Sequence, residues 1–215
     1  MNKFVIFDWG GVVESHENNK REIENAKVRM IQKWNPQLTK KEVLERWVNE
    51  IKGIRISTIN NEKIIKDWVK LIQKNMNIDV PFKEFKRAYE KELENIPYYK
   101  DVVKYAHFLK DTCNIAILSN LIAFDKTRIN AQYDLSKFDK VYLSFEIGMR
   151  KPNKEIYEYV QNDLGINSHD ILFIDDDKDN IMSAQKLGWN TCQAYGYELD
   201  KIKVAVQQFL EKEKK

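Results

Sequence analysis

The sequence predicts an α/β fold: a doubly wound parallel sheet with a helical cap inserted behind its first strand. Two observations carry the prediction. Short apolar runs bounded by polar residues recur at FVIF (4–7), NIAILS (114–119), KVYLS (140–144), DILFID (170–175) and NTCQAY (190–195), and unbroken runs of this length suit strands covered on both faces. Helical patterns separate most of them, and strand alternating with helix specifies a parallel, doubly wound sheet.

Taken in order, FVIF is the first strand; it ends on Asp8 and is followed by Gly10 and Gly11. From about 16 to 96 the texture changes, with no run that reads as a strand and several amphipathic helices in succession. TKKEVLERWVNEIKG (39–53) opens on a capping box, Thr39 with Glu42, and stops at Gly53. NNEKIIKDWVKLIQ puts Ile64, Ile65, Trp68, Val69 and Ile72 on one stripe, and PFKEFKRAYEKEL does so with Phe82, Phe85, Tyr89 and Leu93. This segment is mildly basic, with 18 Lys/Arg against 13 Asp/Glu. The expected organisation is therefore an α/β core from residues 1–15 and 97–215, interrupted by a helical cap at 16–96. Beyond it, PYYKDVVKYAHFLKD aligns Val102, Val103, Ala106 and Leu109, with His107 on the helix surface. PNKEIYEYVQNDLG starts near Pro152 and stops at Gly165, and DNIMSAQKLGWN stops at Gly188, the usual order of helix signals.

Composition narrows the class. The chain has 215 residues, 43% hydrophobic and 32% charged, with a net charge of +3. Interspersed charge of both signs is a soluble surface, and so small a net charge gives no electrostatic reason to expect nucleic acid. No apolar stretch reaches the ~18–20 residues a membrane span requires. The opening lacks the cleavage-site pattern of a signal peptide. Cys113 and Cys192 have no CxxC spacing and are expected as buried reduced thiols. A cytoplasmic protein follows, monomer or homodimer, with neither membrane nor nucleic acid as partner.

The chemistry sits at strand ends, where open parallel sheets bind ligands. Three strands end on Asp8, on Ser119-Asn120 and on Asp175-Asp176-Asp177, and a fourth is followed by GMRKP with Lys151. IDDDKDN packs Asp175, Asp176, Asp177 and Asp179 into five residues. A helix N-cap accounts for one or two of them. The remainder, facing Asp8, would raise each other's pKa unless a cation lay between. A hard divalent ion such as Mg²⁺, with oxygen ligands, answers that requirement.

FDWGGVV, LSN, GMRKP and FIDDDKDN, in this order, resemble the four motifs of the haloacid dehalogenase-like (HAD) hydrolase superfamily, over nearly the whole chain. The insert resembles the helical cap of the first capped subfamily, and the later motifs those of the branch containing glucose-1-phosphate phosphatases and the phosphatase domain of soluble epoxide hydrolases. The resemblance implies a Mg²⁺-dependent phosphatase acting on a small phosphorylated metabolite, with sugar phosphates the expected class. Asp8 would be the nucleophile, forming an aspartyl phosphate. Mg²⁺ would be held by Asp8, the Gly10 carbonyl and Asp176, with Asp175 a direct or water-mediated ligand. Ser119 and the Asn120 N–H would bind the phosphoryl oxygens and Lys151 would neutralise them. Gly10 and Gly11 would let the backbone approach ion and phosphate.

Position 10 departs from the family pattern. Phosphatases of this superfamily carry a second Asp there, which protonates the leaving oxygen and later activates water; here it is Gly10. Three accounts are open: an acidic leaving group such as an anomeric oxygen or acyl phosphate, substitution by another group with Glu14 and His16 nearest in sequence, or feeble catalysis in a binding protein. Rival functions are a non-catalytic or weakly active phosphometabolite-binding protein, a haloacid dehalogenase, and a phosphomutase. The Asp175-Asp176 pair argues against the dehalogenase, which neutralises no dianion, and Gly10 against the mutase. From the cap, Arg55 in GIRISTINN (53–61) is the candidate substrate contact, against a plain helix–helix connection.

Overall fold

The computed structural model describes residues 3–15, 19–94 and 96–212. In chain order the elements are β1 (Phe4–Phe7), α1 (Asn19–Gln32), α2 (Lys40–Arg46), β2 (Glu50–Ile51), β3 (Ile54–Arg55), α3 (Glu62–Met76), α4 (Phe82–Leu93), α5 (Lys100–Leu109), β4 (Asn114–Ser119), α6 (Ala123–Gln132), β5 (Lys140–Leu143), α7 (Ser144–Ile147), α8 (Lys154–Leu164), β6 (Ile171–Asp175), α9 (Lys178–Lys186), β7 (Asn190–Gln193) and α10 (Leu199–Glu211).

Five of the strands form one parallel sheet in the order β5-β4-β1-β6-β7. The central β1 sets Phe4 opposite Asn114 of β4 and Ile171 of β6. Because side chains alternate along a strand, β1 serves two cores. Val5 and Phe7 pack with Val102 and Ala106 of α5 and with Ile202 and Val206 of α10. Phe4 and Ile6 face the other way, onto Ile156 and Val160 of α8 and Ile181 and Ala184 of α9. FVIF is unbroken in apolar character because both of its faces are covered. The sheet is thus the doubly wound parallel sheet that the apolar runs predict.

Helices α1 to α4 enclose a separate hydrophobic cluster that includes Met30, Trp47, Trp68, Phe85 and Leu93. Phe124 of α6 enters this cluster, its ring centroid 5.9 Å from Trp68 and 5.6 Å from Tyr89. A polar link lies nearby. Ser144 Oγ donates to Ser57 O at 2.7 Å and accepts from Leu121 N–H at 3.0 Å.

Three expectations change. The capping box at Thr39 forms, but α2 ends at Arg46, where Trp47 turns extended (φ −70, ψ 127). Trp47 leaves the helix to stack on Phe85 and Tyr89 and meet Trp68 edge-on. The freed Val48 carbonyl accepts from Trp68 Nε1 at 2.9 Å. Secondly, residues 50–55, expected to be helical or loop, form a β2–β3 hairpin. Lys52 and Gly53 turn it with φ of 52° and 76°, the positive values a tight hairpin turn requires. Tertiary packing of one tryptophan here outweighs the helix propensity of its neighbours. Thirdly, His107 is no plain surface residue: it is half-buried, and Tyr133 Oη lies 2.6 Å from its Nε2. Cys113 and Cys192 are both free and buried. Among the described residues no helix is long and apolar enough to cross a membrane.

Candidate active site

Asp8 directly follows β1, and its N–H donates to Ile174 O at 2.9 Å. The ladder to β6 therefore runs one residue past the strand and fixes the carboxylate in place. Asp8 Oδ1 accepts from Trp9 N–H at 2.6 Å and lies 2.9 Å from Lys151 Nζ. Among the described residues nothing donates to Oδ2. Burial pushes the Asp8 carboxyl up to about 7; Lys151 draws it down, while Asp175 and Asp176 add to the rise.

Lys151 is fully buried between two acids, with Nζ 2.6 Å from Asp175 Oδ2 as well as 2.9 Å from Asp8. Burial alone would lower its pKa, but Asp8 and Asp175 together outweigh burial and raise it, so the ammonium stays charged. The backbone of Lys151 is clamped by Asn120, whose Nδ2 donates to Lys151 O at 2.8 Å and whose Oδ1 accepts from Lys151 N–H at 2.9 Å. That bidentate link joins the end of β4 to the loop after α7, which the sequence did not reveal. Asp175 is held in turn by Asp177 N–H at 2.8 Å and by Asn180 Nδ2 at 3.1 and 3.0 Å. Lys151 and the two carboxylates it joins are thus each charge-paired and hydrogen-bonded, the condition under which buried charge is tolerated.

Carboxylate oxygens of Asp8, Asp175 and Asp176 lie within 4.8 Å of one another. Three hard oxygen donors at that spacing suit Mg²⁺. The backbone is shaped to admit the third. Gly11 has φ +83, and a Cβ there would fall 2.5 Å from Asp176 Oδ1, so a side chain would displace the carboxylate. Asp177 is used differently, since its side chain caps α9 by accepting from the N–H groups of Asp179 and Asn180. The N-cap explanation therefore accounts for Asp177, and the metal-ligand explanation suits Asp175 and Asp176.

A cavity of about 260 Å³ opens over these groups, lined by Asp8, Gly10, Ser119, Asn120, Lys151 and Asp176. Tyr89 and Leu93 of α4 close it from the helical side, and Glu14 and Asp125 bring further carboxyls to its wall. Glu14 is 3% exposed and accepts from Trp9 Nε1 at 3.0 Å. His16 lies outside the described residues. Arg55 is not brought to this cavity. It sits on β3, pairs with Glu50 at 2.6 Å, and lines a cleft with Gly148 and Arg150. Asn180 and Asp125 carried no sequence signal, and Tyr89 only that of a helical stripe; their places depend on how the helices pack over the strand ends.

Fold and site together define a parallel α/β protein with a carboxylate-rich crevice at the ends of its strands. The chain belongs to the haloacid dehalogenase-like hydrolase family, whose model matches residues 24–194. It is similar to a HAD family enzyme of Bacteroides thetaiotaomicron solved in complex with magnesium and inorganic phosphate, with a TM-score of 0.63 and 26% identity over 88% of this chain and 92% of that one. The L-2-haloacid dehalogenase of Xanthobacter autotrophicus shares the fold, with a TM-score of 0.57 and 16% identity over 89% and 76% of the two chains. A D-ribitol-5-phosphate phosphatase of Bacteroides thetaiotaomicron is 38% identical over 55 residues, covering 26% of this chain and 27% of that protein. A sesquiterpene phosphatase of Aspergillus oryzae is 31% identical over 75 residues, covering 34% and 38%. The matched stretches span between 10% and 38% of the length of the curated relatives.

Proposed function

We propose that this hydrolase is a Mg²⁺-dependent phosphatase that cleaves a small phosphorylated metabolite, a sugar or polyol phosphate, through an aspartyl phosphate on Asp8. The observation that carries the reading is the convergence of Asp8, Lys151 and Asp176 on one cavity at the strand ends, with Asp175 buried behind them and paired to Lys151. Asp8, Asp175, Asp176 and the Gly10 carbonyl would hold the ion. When bound, Mg²⁺ supplies the positive charge that lets a carboxylate and a phosphate dianion meet.

The protein's own groups do the rest. Trp9 N–H and Lys151 hold Asp8 Oδ1 and leave Oδ2 to attack phosphorus. Ser119 and the Asn120 N–H orient the phosphoryl oxygens, and Lys151 offsets their charge. As the Oδ2–P bond forms, the bond from phosphorus to the leaving oxygen breaks, and that oxygen takes a proton from Glu14. Water then attacks the aspartyl phosphate, gives its proton back to Glu14, and releases inorganic phosphate with Asp8 restored. Glu14 thus stands in for the acid that Gly10 lacks. Residues 16–96 act as a cap whose closure excludes water from this step.

The test is phosphate release from p-nitrophenyl phosphate and a panel of phosphorylated metabolites, with Mg²⁺ and with chelator. Release that requires the metal and disappears in Asp8→Asn supports the reading; metal-independent release, or turnover surviving Asp8→Asn, overturns it. Gly10 favours a second reading, a phosphometabolite-binding protein with little turnover, which predicts ligand binding without phosphate release.

A further inference from the structure

The crevice continues outward into a second cavity of about 930 Å³, which shares Ile23, Asn120, Asp176 and Asp177 with the first. Three cations line it: Lys27 on α1, Arg150 in the loop before Lys151, and Lys178, exposed at the start of α9. Arg150 Nε is buried and without a hydrogen-bond partner, Arg55 and Glu50 are the electrostatic neighbours of its guanidinium, and among the described residues no carboxylate lies within ion-pair distance of Arg150 or Lys27. Lys27 Nζ sits 4.8 Å over the Trp47 ring, with Asp125 and Glu24 as its electrostatic neighbours. One buried N–H of a guanidinium that lines the cavity is thus left without an acceptor, and a charged donor gives up more by that than a neutral one. Acids also line this cavity. Asp176 belongs to the metal set and Asp177 to the cap of α9, leaving Glu24, half-buried, and Asp179, exposed.

We infer that the outer cavity is a subsite for a second anionic group on the substrate, a carboxylate or a further phosphate, received by Arg150 and Lys27 while the scissile phosphate lies at Asp8. This rests on the phosphatase reading and narrows its substrate class to doubly anionic phosphate esters. It also sets Lys27 on the helical side against Arg150 on the side of the sheet, so such a ligand bridges the two.

The experiment compares kcat/KM for the terminal phosphates of gluconate and of sorbitol, which share chain length and differ in carboxylate against hydroxymethyl. Sorbitol bisphosphate is the phosphate arm and p-nitrophenyl phosphate the reference. Preference for either doubly anionic ester by roughly tenfold or more is expected, and the favoured arm identifies the second anion. In Arg150→Gln and, independently, Lys27→Met, the ratio of that ester to p-nitrophenyl phosphate should fall by about the same factor, with partial rescue in Arg150→Lys. Equal kcat/KM across the set, or ratios unmoved in both variants, overturns the inference. Equilibrium dialysis of sorbitol bisphosphate against sorbitol phosphate on Asp8→Asn reads the subsite without turnover. Discrimination there, when the wild-type protein releases no phosphate from any of these esters, sinks the phosphatase reading alone, and its absence sinks the subsite.

Discussion

Trp9 Nε1 donates to Glu14 Oε2 at 3.0 Å, five residues along the chain. The backbone closes the same loop, because Glu14 N–H donates to Trp9 O at 2.7 Å and Gly11 N–H to Glu14 O at 2.8 Å. A carboxyl that the sequence spaces well beyond Gly10 is thereby folded back onto the wall of the cavity that Gly10 lines. Glu14→Gln should lower turnover of alkyl phosphates by roughly 10²–10⁴-fold, the usual range for a lost general acid. Formation of the aspartyl phosphate from p-nitrophenyl phosphate, read as the burst of nitrophenolate, needs no proton from Glu14 and should fall far less. A uniform decrease in that first step across leaving groups would remove Glu14 as the acid.

Among the described residues Lys151 is the sole cation within 3 Å of both Asp8 and Asp175. In Lys151→Met the two carboxylates face each other with that charge gone, and removing one member of a buried ion pair costs about 3–5 kcal/mol. The variant should lose phosphatase activity and, in chelator, melt well below the wild type by calorimetry. Added Mg²⁺ should recover part of the lost stability. A melting curve identical to wild type in chelator would show that the pair contributes nothing.

Gly11→Ala tests the shape of the ion site. A Cβ would meet Asp176 Oδ1 at 2.5 Å, and the left-handed conformation adds roughly 1–2 kcal/mol for a residue with a side chain. In the wild type, Mg²⁺ at about 100 times its Kd should stabilise the fold by ~2.7 kcal/mol, a rise of several degrees in Tm for a chain of this size. That rise should shrink or vanish in Gly11→Ala and in Asp176→Asn. A full shift in both variants would place the ion elsewhere.

The two thiols should be quiet. Burial, helped by Asp139, pushes Cys113 up to about 11, and burial raises Cys192 as well. Thiolate is the reactive form, so labelling of the folded protein near pH 8 should lag far behind that of the unfolded chain. For Cys113 the folded pKa exceeds the ordinary 9.0, so the unfolded state loses its proton first. The stability this thiol contributes is whole below pH 9 and declines as pH rises toward 11. Rapid labelling of native protein would contradict that environment.

The fold was readable because β1, β4 and β6 are covered on both faces and must be continuously apolar, a pattern that no surface segment imitates. Asp8, Ser119, Lys151 and Asp175 were readable because strand ends are where a parallel sheet gathers ligands. The hairpin at 50–55 was hidden, since Trp47 leaves its helix for partners in α3 and α4 that lie many residues away. Asn120 was legible as a residue of the crevice but not as the clamp on the Lys151 backbone, which depends on two loops meeting. Arg55 illustrates the reverse: a lone arginine in a loop looks available for substrate until folding supplies Glu50 beside it.

The central place of β1 has a consequence for synthesis. Phe4 to Phe7 cannot be seated until partners at 114–117 and 171–174 have been made, so a growing chain carries its acid from the outset but acquires the lysine and the acidic pair only late. A polypeptide cut short before residue 171 therefore leaves the ribosome with Asp8 but without the acidic pair, and with one edge of β1 unpaired.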